Sequence, residues 1–170
     1  TGERILNPVT QIFLEEGAVF TLDTAQIGGV DSTVRKTEVS MEADAKLFVM
    51  EKLMTHDNQT AVSDMTVEMN GAGSSAQIVS RSVAKGHSVQ TFHPIAIGNA
   101  LCHAHVQCDS IIMDKAQISS IPEINARDID AQIIHEAAIG RINNEQILKL
   151  RTFGMTEEEA EAVIIEDFLA

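Results

Sequence analysis

Four polar or ionisable residues at a constant spacing are the strongest candidates for chemistry in this sequence. Lys52, Ser80, Cys108 and Glu136 each follow the previous one by 28 positions. A cysteine thiolate is a soft metal ligand, and a neighbouring ammonium group lowers the pKa of a thiol. His135 stands beside Glu136 and can add an imidazole nitrogen. If the fold stacks these positions, they form a site for a soft metal.

A fold that stacks such positions needs turns at the same interval, and the sequence contains two series of turn residues. They are Gly17, Asp44, Gly71, Gly98 and Asp128, and Gly28, Asp57, Gly86, Asp114 and Asn143. Gly, Asn and Asp tolerate the tight or left-handed turns that end strands. A fixed period with two turns per repeat is typical of a solenoid, so we predict a mainly β protein, a parallel β-helix of about five coils with about 28 residues per coil.

The even spacing predicts which side chains face the inside of the coils. Parallel coils in register place residue i on residue i+28, about 4.8 Å away and on the same face. The even positions are mostly apolar, so we expect the even face to be interior. The column from Lys52 to Glu136 is then buried, and buried charges cost several kcal/mol unless they are paired or used by a site. The alternative is a slipped register that turns these side chains outward.

The two cysteines, Cys102 and Cys108, lie six residues apart on one predicted strand. That separation spans about 20 Å of extended chain, whereas a disulfide requires Cα atoms within about 7 Å. Free thiols favour a reducing compartment, so we expect a cytoplasmic protein. His103 and His105 point to the strand face opposite the cysteines, which argues against a structural zinc site formed by all four residues.

The composition excludes several classes of partner. The net charge is −13, and binding to nucleic acid or to anionic membranes requires clustered Lys and Arg. No apolar run approaches the roughly 18 residues needed to span a bilayer. The sequence has no Trp and no Tyr, so it lacks the stacking surfaces of single-strand nucleic-acid binders. We therefore expect neither nucleic acid nor a membrane as a partner.

The last residues change from strand-like alternation to helical spacing. We assign residues 1–142 to the β-helix core and residues 143–170 to a C-terminal segment of two helices separated at Gly154. Thr156 and Glu159 form a capping box before the second helix. The apolar stripe of that helix either caps the last coil or docks a partner. The stripe includes Val163, Ile164 and Phe168.

Several motifs in the second half occur in the order and spacing of a known family. They are Gln107-Cys108-Asp109-Ser110, Ile121-Pro122-Glu123-Ile124, His135-Glu136-Ala137, Glu145-Gln146 and Phe153-Gly154-Met155-Thr156-Glu157-Glu158-Glu159-Ala160. Together they resemble the C-terminal part of SufB and SufD, the paired scaffold proteins of the SUF iron–sulfur assembly system. The resemblance is dense from Val106 to Leu169 and rests on the coil pattern before Gly98. The Cys108 motif and the His-Glu pair are more similar to SufB than to SufD.

The sequence also departs from the family pattern. The N-terminal helical domain of typical SufB proteins has no counterpart among these residues. A second cysteine used upstream in the family has no match, because Cys102 is the only other thiol. The usual Gly-Phe near the C-terminus is replaced by Asp167-Phe168. These differences leave the choice between SufB-like and SufD-like roles open.

The resemblance implies a right-handed β-helix on which a transient iron–sulfur cluster is built. Carried over to this sequence, it makes Cys108 the sulfur acceptor or a cluster ligand, with His135 and Glu136 completing the ligand set. Lys52, if it lies inside, would lower the pKa of the thiol. The supporting positions are Lys52, Ser80, Gln107 and Asp109.

The resemblance implies protein partners as well. The C-terminal stripe would dock a SufC-type ATPase, and one flank would pair with a SufD-like or second SufB-like subunit to give a dimer. The chain has no Gly-x-x-x-x-Gly-Lys-Ser/Thr loop, so we expect a scaffold that hydrolyses no ATP and is not an enzyme. Two alternatives stay open: a SufD-like structural partner without its own cluster, and a β-helix carbohydrate-active enzyme.

Overall fold

Two parallel β-sheets wind around a common interior to form a β-solenoid. The computed structural model describes residues 3–170, and the strands complete about five turns of about 28 residues each. Every pair of neighbouring strands is parallel, because each strand pairs with the equivalent strand of the next coil. The prediction of a parallel β-helix is therefore confirmed.

The chain alternates between the two sheets. The first sheet contains β1 (Ile5–Leu6), β2 (Val9–Leu14), β4 (Ser32–Met41), β6 (Thr60–Met69), β8 (Val89–Gly98), β10 (Gln117–Ser120) and β11 (Glu123–Ala126). The second contains β3 (Val19–Gln26), β5 (Lys46–Thr55), β7 (Ser74–Ala84), β9 (Cys102–Ile112) and β12 (Gln132–Gly140). Two helices follow, α1 (Asn144–Thr152) and α2 (Glu157–Leu169). Neither helix is long and apolar enough to cross a lipid bilayer.

The predicted turn residues form the corners between the sheets. Asp44, Asp57 and Asp114 have φ values of 56°, 54° and 52°, in the left-handed region that Asp tolerates better than most residues. Gly86 occupies the same kind of corner, with φ 68°. A Cβ atom built on Gly86 would lie 2.9 Å from the backbone nitrogen of Asp57, so the neighbouring coil also requires a glycine here.

The predicted even-inside register is wrong over much of the chain. Ser80 stacks on Cys108 as expected, but β5 is shifted by one residue, so that Glu51 and not Lys52 stacks on Ser80. The last coil shifts again, because Cys108 stacks on Ala137 and not on Glu136. The physical cause is the corner between the first sheet and the second, which varies in length from coil to coil. A single added residue exchanges the two faces of the next strand.

The interior has an apolar side and a polar side. Near one set of corners, fully buried apolar residues such as Met41, Leu47 and Ile78 fill the space. Near the other set, buried hydroxyl and amide groups bond to each other: Thr55 Oγ1 donates to Ser88 Oγ at 2.8 Å, and Gln90 Nε2 donates to Thr55 Oγ1 at 2.8 Å. The polar side therefore satisfies most of its groups inside the coils.

Helix α2 begins with the predicted capping box. The Thr156 hydroxyl accepts a hydrogen bond from the Glu159 backbone, and the Glu159 carboxylate accepts one from the Thr156 backbone. The helix does not cap the last coil, which corrects one of the two predicted roles. Its Ile165 and Leu169 side chains instead pack on Val83, on the outer face of the second sheet. The open end of the last coil is uncovered within the described residues.

Replacing Ile165 by alanine should release α2 from the sheet. Deleting a buried Ile side chain costs about 2–5 kcal/mol, and the solenoid end can open locally without global unfolding. Hydrogen exchange of the α2 amides should therefore accelerate strongly, while exchange in β7 changes little. Val163→Ala is the control, because Val163 is 42% exposed on the same helix. Equal acceleration in both variants would contradict the packing of α2 described here.

Candidate functional site

A thiol and an imidazole meet inside the last two coils. Cys108 lies in β9 and is buried, and its Sγ atom is 3.4 Å from Nε2 of His135 in β12. His135 is in register with Val106, so both point to the interior, and its ring reaches along the strand to the thiol. Two of the three predicted ligands are therefore brought together by coil stacking.

Burial keeps both groups of this pair neutral. Burial raises the pKa of the Cys108 thiol to about 11; the negative charges of Asp109 and Glu51 add to this rise, and the Ser120 hydroxyl opposes it. Burial also lowers the pKa of His135. At neutral pH the pair is a thiol beside a neutral imidazole, and a soft metal can displace the thiol proton.

Lys52 does not belong to this site. It lies on the outer face of β5, in register with Arg81, and its Nζ atom donates a hydrogen bond to the Ala170 carbonyl at 2.6 Å. The expectation that Lys52 lowers the pKa of the thiol is wrong, because the one-residue shift of β5 points this side chain away from the interior. Lys52 instead ties the end of α2 to the sheet.

Glu136 lies on the opposite face of its strand from His135. Its side chain is 65% exposed, it is in register with Gln107, and its carboxylate is 3.4 Å from Nε2 of His105. Consecutive strand residues point to opposite faces, so one strand cannot turn His135 and Glu136 inward together. The described residues contain no group of three or more His, Cys, Asp or Glu side chains arranged to hold a metal ion.

The remaining supporting residues divide between the two faces. Ser80 is interior and stacks directly beside Cys108. Gln107 and Asp109 are on the outer face, where Gln107 Nε2 donates to Asp109 Oδ2 at 2.7 Å. Arg81 is in register with Asp109, but its guanidinium donates to the Phe168 carbonyl and not to that carboxylate. Of these residues, Ser80 alone lies on the face of the thiol.

Glu51 is an interior residue that the sequence analysis placed outside. It stacks on Ser80, and its carboxylate accepts hydrogen bonds from Ser63 Oγ at 2.8 Å and Ser80 Oγ at 3.4 Å. Burial raises its pKa. The local pattern of β5 contained the necessary information, since Glu51 interrupts an odd-numbered apolar alternation. Its neighbours in that alternation are Leu47, Val49 and Leu53.

Comparison with known proteins identifies the family. Residues 6–168 match the family described as SUF system FeS cluster assembly, SufBD core domain. The chain is 28% identical over 173 aligned positions to an iron–sulfur cluster assembly SufBD family protein of Methanocaldococcus jannaschii, covering 99% of this chain and 54% of the relative. A relative of the same description in Archaeoglobus fulgidus is 28% identical over 170 positions, covering 96% of this chain and 45% of the relative.

A third relative agrees with these two. The SufBD family protein of Pyrococcus horikoshii is 31% identical over 142 positions, covering 79% of this chain and 44% of the relative. The chain thus spans about half the length of the curated relatives it matches. With nearly its whole length matched to the core domain, and with the solenoid and the C-terminal helices in place, this chain belongs to the SufBD family of iron–sulfur cluster assembly proteins.

Proposed function

We propose that this chain is a SufB-like scaffold on which the SUF system assembles an iron–sulfur cluster, with Cys108 as the sulfur acceptor or a cluster ligand. The observation that carries the proposal is the 3.4 Å contact between the Cys108 thiol and the His135 imidazole at the open end of the solenoid. Thiolate and imidazole are the ligands that suit iron in clusters. The cluster is cargo here, built and then passed on.

The protonation state of the pair suits a site that binds iron only transiently. A thiol with a raised pKa must lose its proton when a metal binds, so metal binding competes with protons and is weaker than at a preformed thiolate. His135 is neutral and offers a lone pair without first losing a proton. The site therefore stays uncharged until iron arrives and can release its cargo.

In this proposal Glu136 binds the cluster from the outer face of the last strand, β12, opposite the face of His135. β12 is an edge strand, paired only with β9 among the described strands. A cluster seated over that edge would contact both faces of the strand, His135 from the inside and Glu136 from the outside. This arrangement makes Cys108 the indispensable ligand and Glu136 a replaceable one.

A second SufB-like or SufD-like subunit is the proposed partner at the same end. The last coil exposes unpaired backbone groups along β12 and apolar side chains that a further coil would cover. Strand pairing with another subunit would satisfy these groups and form a dimer. The exposed large apolar residues of the last coil include Ile121, Ile124, Ile129, Ile134 and Ile139.

The proposed docking surface for a SufC-type ATPase lies on the two helices. Phe168 is half-buried and packs against the buried apolar residues around Val83. Ile164 is half-buried as well, so both side chains already make contacts inside this chain. Val163 is exposed on α2 and Leu148 on α1, and Phe153 lies exposed between the helices. The outward apolar surface is therefore the one formed by Leu148, Phe153 and Val163.

One observation favours a second candidate, a SufD-like structural partner without its own cluster. The described residues bring together only two ligand groups, Cys108 and His135, and place Glu136 outside. Either role is that of a scaffold and not of an enzyme, and both fit a cytoplasmic protein with two buried free thiols. No observation on the described residues favours a carbohydrate-active enzyme.

Anaerobic reconstitution with iron and sulfide separates the two candidates. The scaffold proposal expects cluster absorption in the wild type and loss of most of it in Cys108→Ala, because no other thiolate replaces the lost ligand. His135→Ala should lose less, since water can replace a nitrogen ligand. Cys102→Ala is the matched control, because Cys102 is as buried as Cys108 on the same strand face. Equal iron and sulfide in wild type and Cys108→Ala would refute the role of this thiol.

Alkylation kinetics test the protonation state of the thiol. In a Cys102→Ala background, the rate of Cys108 alkylation by iodoacetamide should rise with pH toward a midpoint of about 11, whereas a free cysteine reaches its midpoint near about 8.5. The sign follows from the thiolate being the reactive form, which burial suppresses at neutral pH. A midpoint below that of free cysteine would contradict a neutral thiol–imidazole pair.

Charge introduced on the helices tests the docking surface. Val163→Asp should weaken binding to a SufC-type ATPase by about tenfold or more, because a carboxylate would enter an apolar contact. Val34→Asp is the matched control, since Val34 is equally exposed, at 42%, on the outer face of the first sheet. The measurement is a calorimetric titration. Unchanged affinity in Val163→Asp would remove this surface from the proposal.

A further inference from the structure

A small, partly open cavity lies beside Cys108 on the polar side of the interior. Its walls include Glu51 and Ser80 from neighbouring coils of the second sheet, and Gln90 and Ser120 from the first sheet. Cys108 closes it on the side of the last coils. The cavity thus connects the thiol of the proposed site with the buried carboxyl group of Glu51.

Two residues that line this cavity, Gln90 and Ser120, carry the buried polar atoms that lack a well-formed hydrogen bond. Gln90 is 2% exposed; its Nε2 atom donates to Thr55 Oγ1 at 2.8 Å and to the Val83 carbonyl at 2.9 Å. Its Oε1 atom has no hydrogen-bond partner among the described residues. Ser120 Oγ has no partner of good hydrogen-bond geometry there either, although it lies close enough to the Cys108 thiol to lower the pKa of that group. These are the two such side-chain atoms in the described part of the chain, and both belong to the lining of one cavity.

A small bound molecule is expected next to buried polar groups that have no hydrogen-bond partner in the protein. Leaving a buried acceptor unsatisfied costs about 1–3 kcal/mol, and buried waters in proteins typically bridge such groups. The free space is about that of one water molecule. A guest must donate a hydrogen bond to Gln90 Oε1 and exchange one with Ser120 Oγ, so an apolar gas does not fit the lining.

The charge of the lining restricts the guest further. Both oxygens of the Glu51 carboxyl group already accept hydrogen bonds, from Ser63 and Ser80. No Lys or Arg side chain lines the cavity, so an anion would find no counter-charge. The remaining chemistry is that of a small neutral molecule with polar hydrogens.

We propose that this cavity is a binding site for one small neutral molecule, either water or hydrogen sulfide. Gln90 and Ser120 hold this molecule beside the Cys108 thiol. Binding of water follows from the cavity alone. Binding of hydrogen sulfide rests on the proposed function, in which sulfide is a building block of the cargo.

Anaerobic crystal structures at high resolution, with and without sodium hydrosulfide, test the site. We expect a density peak within hydrogen-bonding distance of Gln90 Oε1 and Ser120 Oγ in the untreated crystal. A sulfur anomalous peak after hydrosulfide treatment identifies hydrogen sulfide as a guest, and an unchanged oxygen-sized peak identifies water. An empty cavity under both conditions overturns the proposal.

Matched variants show whether the named residues hold the guest. Ser120→Val fills the cavity with methyl groups and should abolish the peak, whereas Gln117→Val, exposed on the same strand and outside the cavity lining, should keep it. Gln90→Met removes the acceptor at similar size and serves if Ser120→Val does not fold. A peak that survives both Ser120→Val and Gln90→Met would contradict the assignment. Cluster reconstitution on the same samples is a separate measurement. A filled cavity without cluster formation would count against the proposed function but not against this inference. Cluster formation with an empty cavity would count against this inference but not against the proposed function.

Discussion

The backbone hydrogen-bond ladder between successive coils is the constraint on which the rest of the structure depends. Each strand is locked to the equivalent strand of the next coil, so register decides which side chains share a face. Because side chains alternate along a strand, a shift by one residue exchanges inside and outside for the whole strand. The corners between the sheets absorb such shifts, and they therefore determine the composition of the interior.

The candidate site is a direct consequence of this ladder. The register of the last coil turns His135 toward Cys108 and leaves Glu136 beside His105 on the outer surface. The same geometry explains why the thiol is neutral, since the interior supplies carboxyl and hydroxyl groups and no nearby cation. Lys52 could lower the pKa of the thiol only if β5 were shifted by one residue, because that shift would turn the Lys52 side chain to the interior.

The sequence contained enough to predict the architecture, because turn residues report directly on the chain reversals that a solenoid needs. Asp57 and Asp114 adopt the left-handed conformation that their type favours, and the capping box at Thr156 is a local feature that forms as predicted. The face of each strand could not be predicted from a fixed period, because register is a non-local property that accumulates over corners of unequal length. Cys108 was singled out by the constant spacing and by its motif, and His135 by its motif and its position beside Glu136. Glu51 was missed because the constant period was preferred over the local alternation of β5.

The polar side of the interior accommodates a buried carboxyl group, that of Glu51. A buried carboxyl group is destabilising unless hydrogen bonds or a nearby cation compensate it. Two serine hydroxyls bond to Glu51. Burial raises the pKa of Glu51, and the bonds from the serines and the positive charge of Arg35 oppose that rise. The serines come from different strands, so the carboxyl group links the two sheets across the lumen. The polar side continues from this link through Ser80 to Cys108, and it ends at the last coil, where backbone and side chains are least covered. The thiol of Cys108 thus lies near the open end of the solenoid, while the carboxyl group of Glu51 lies deeper, in a coil that is covered on both sides.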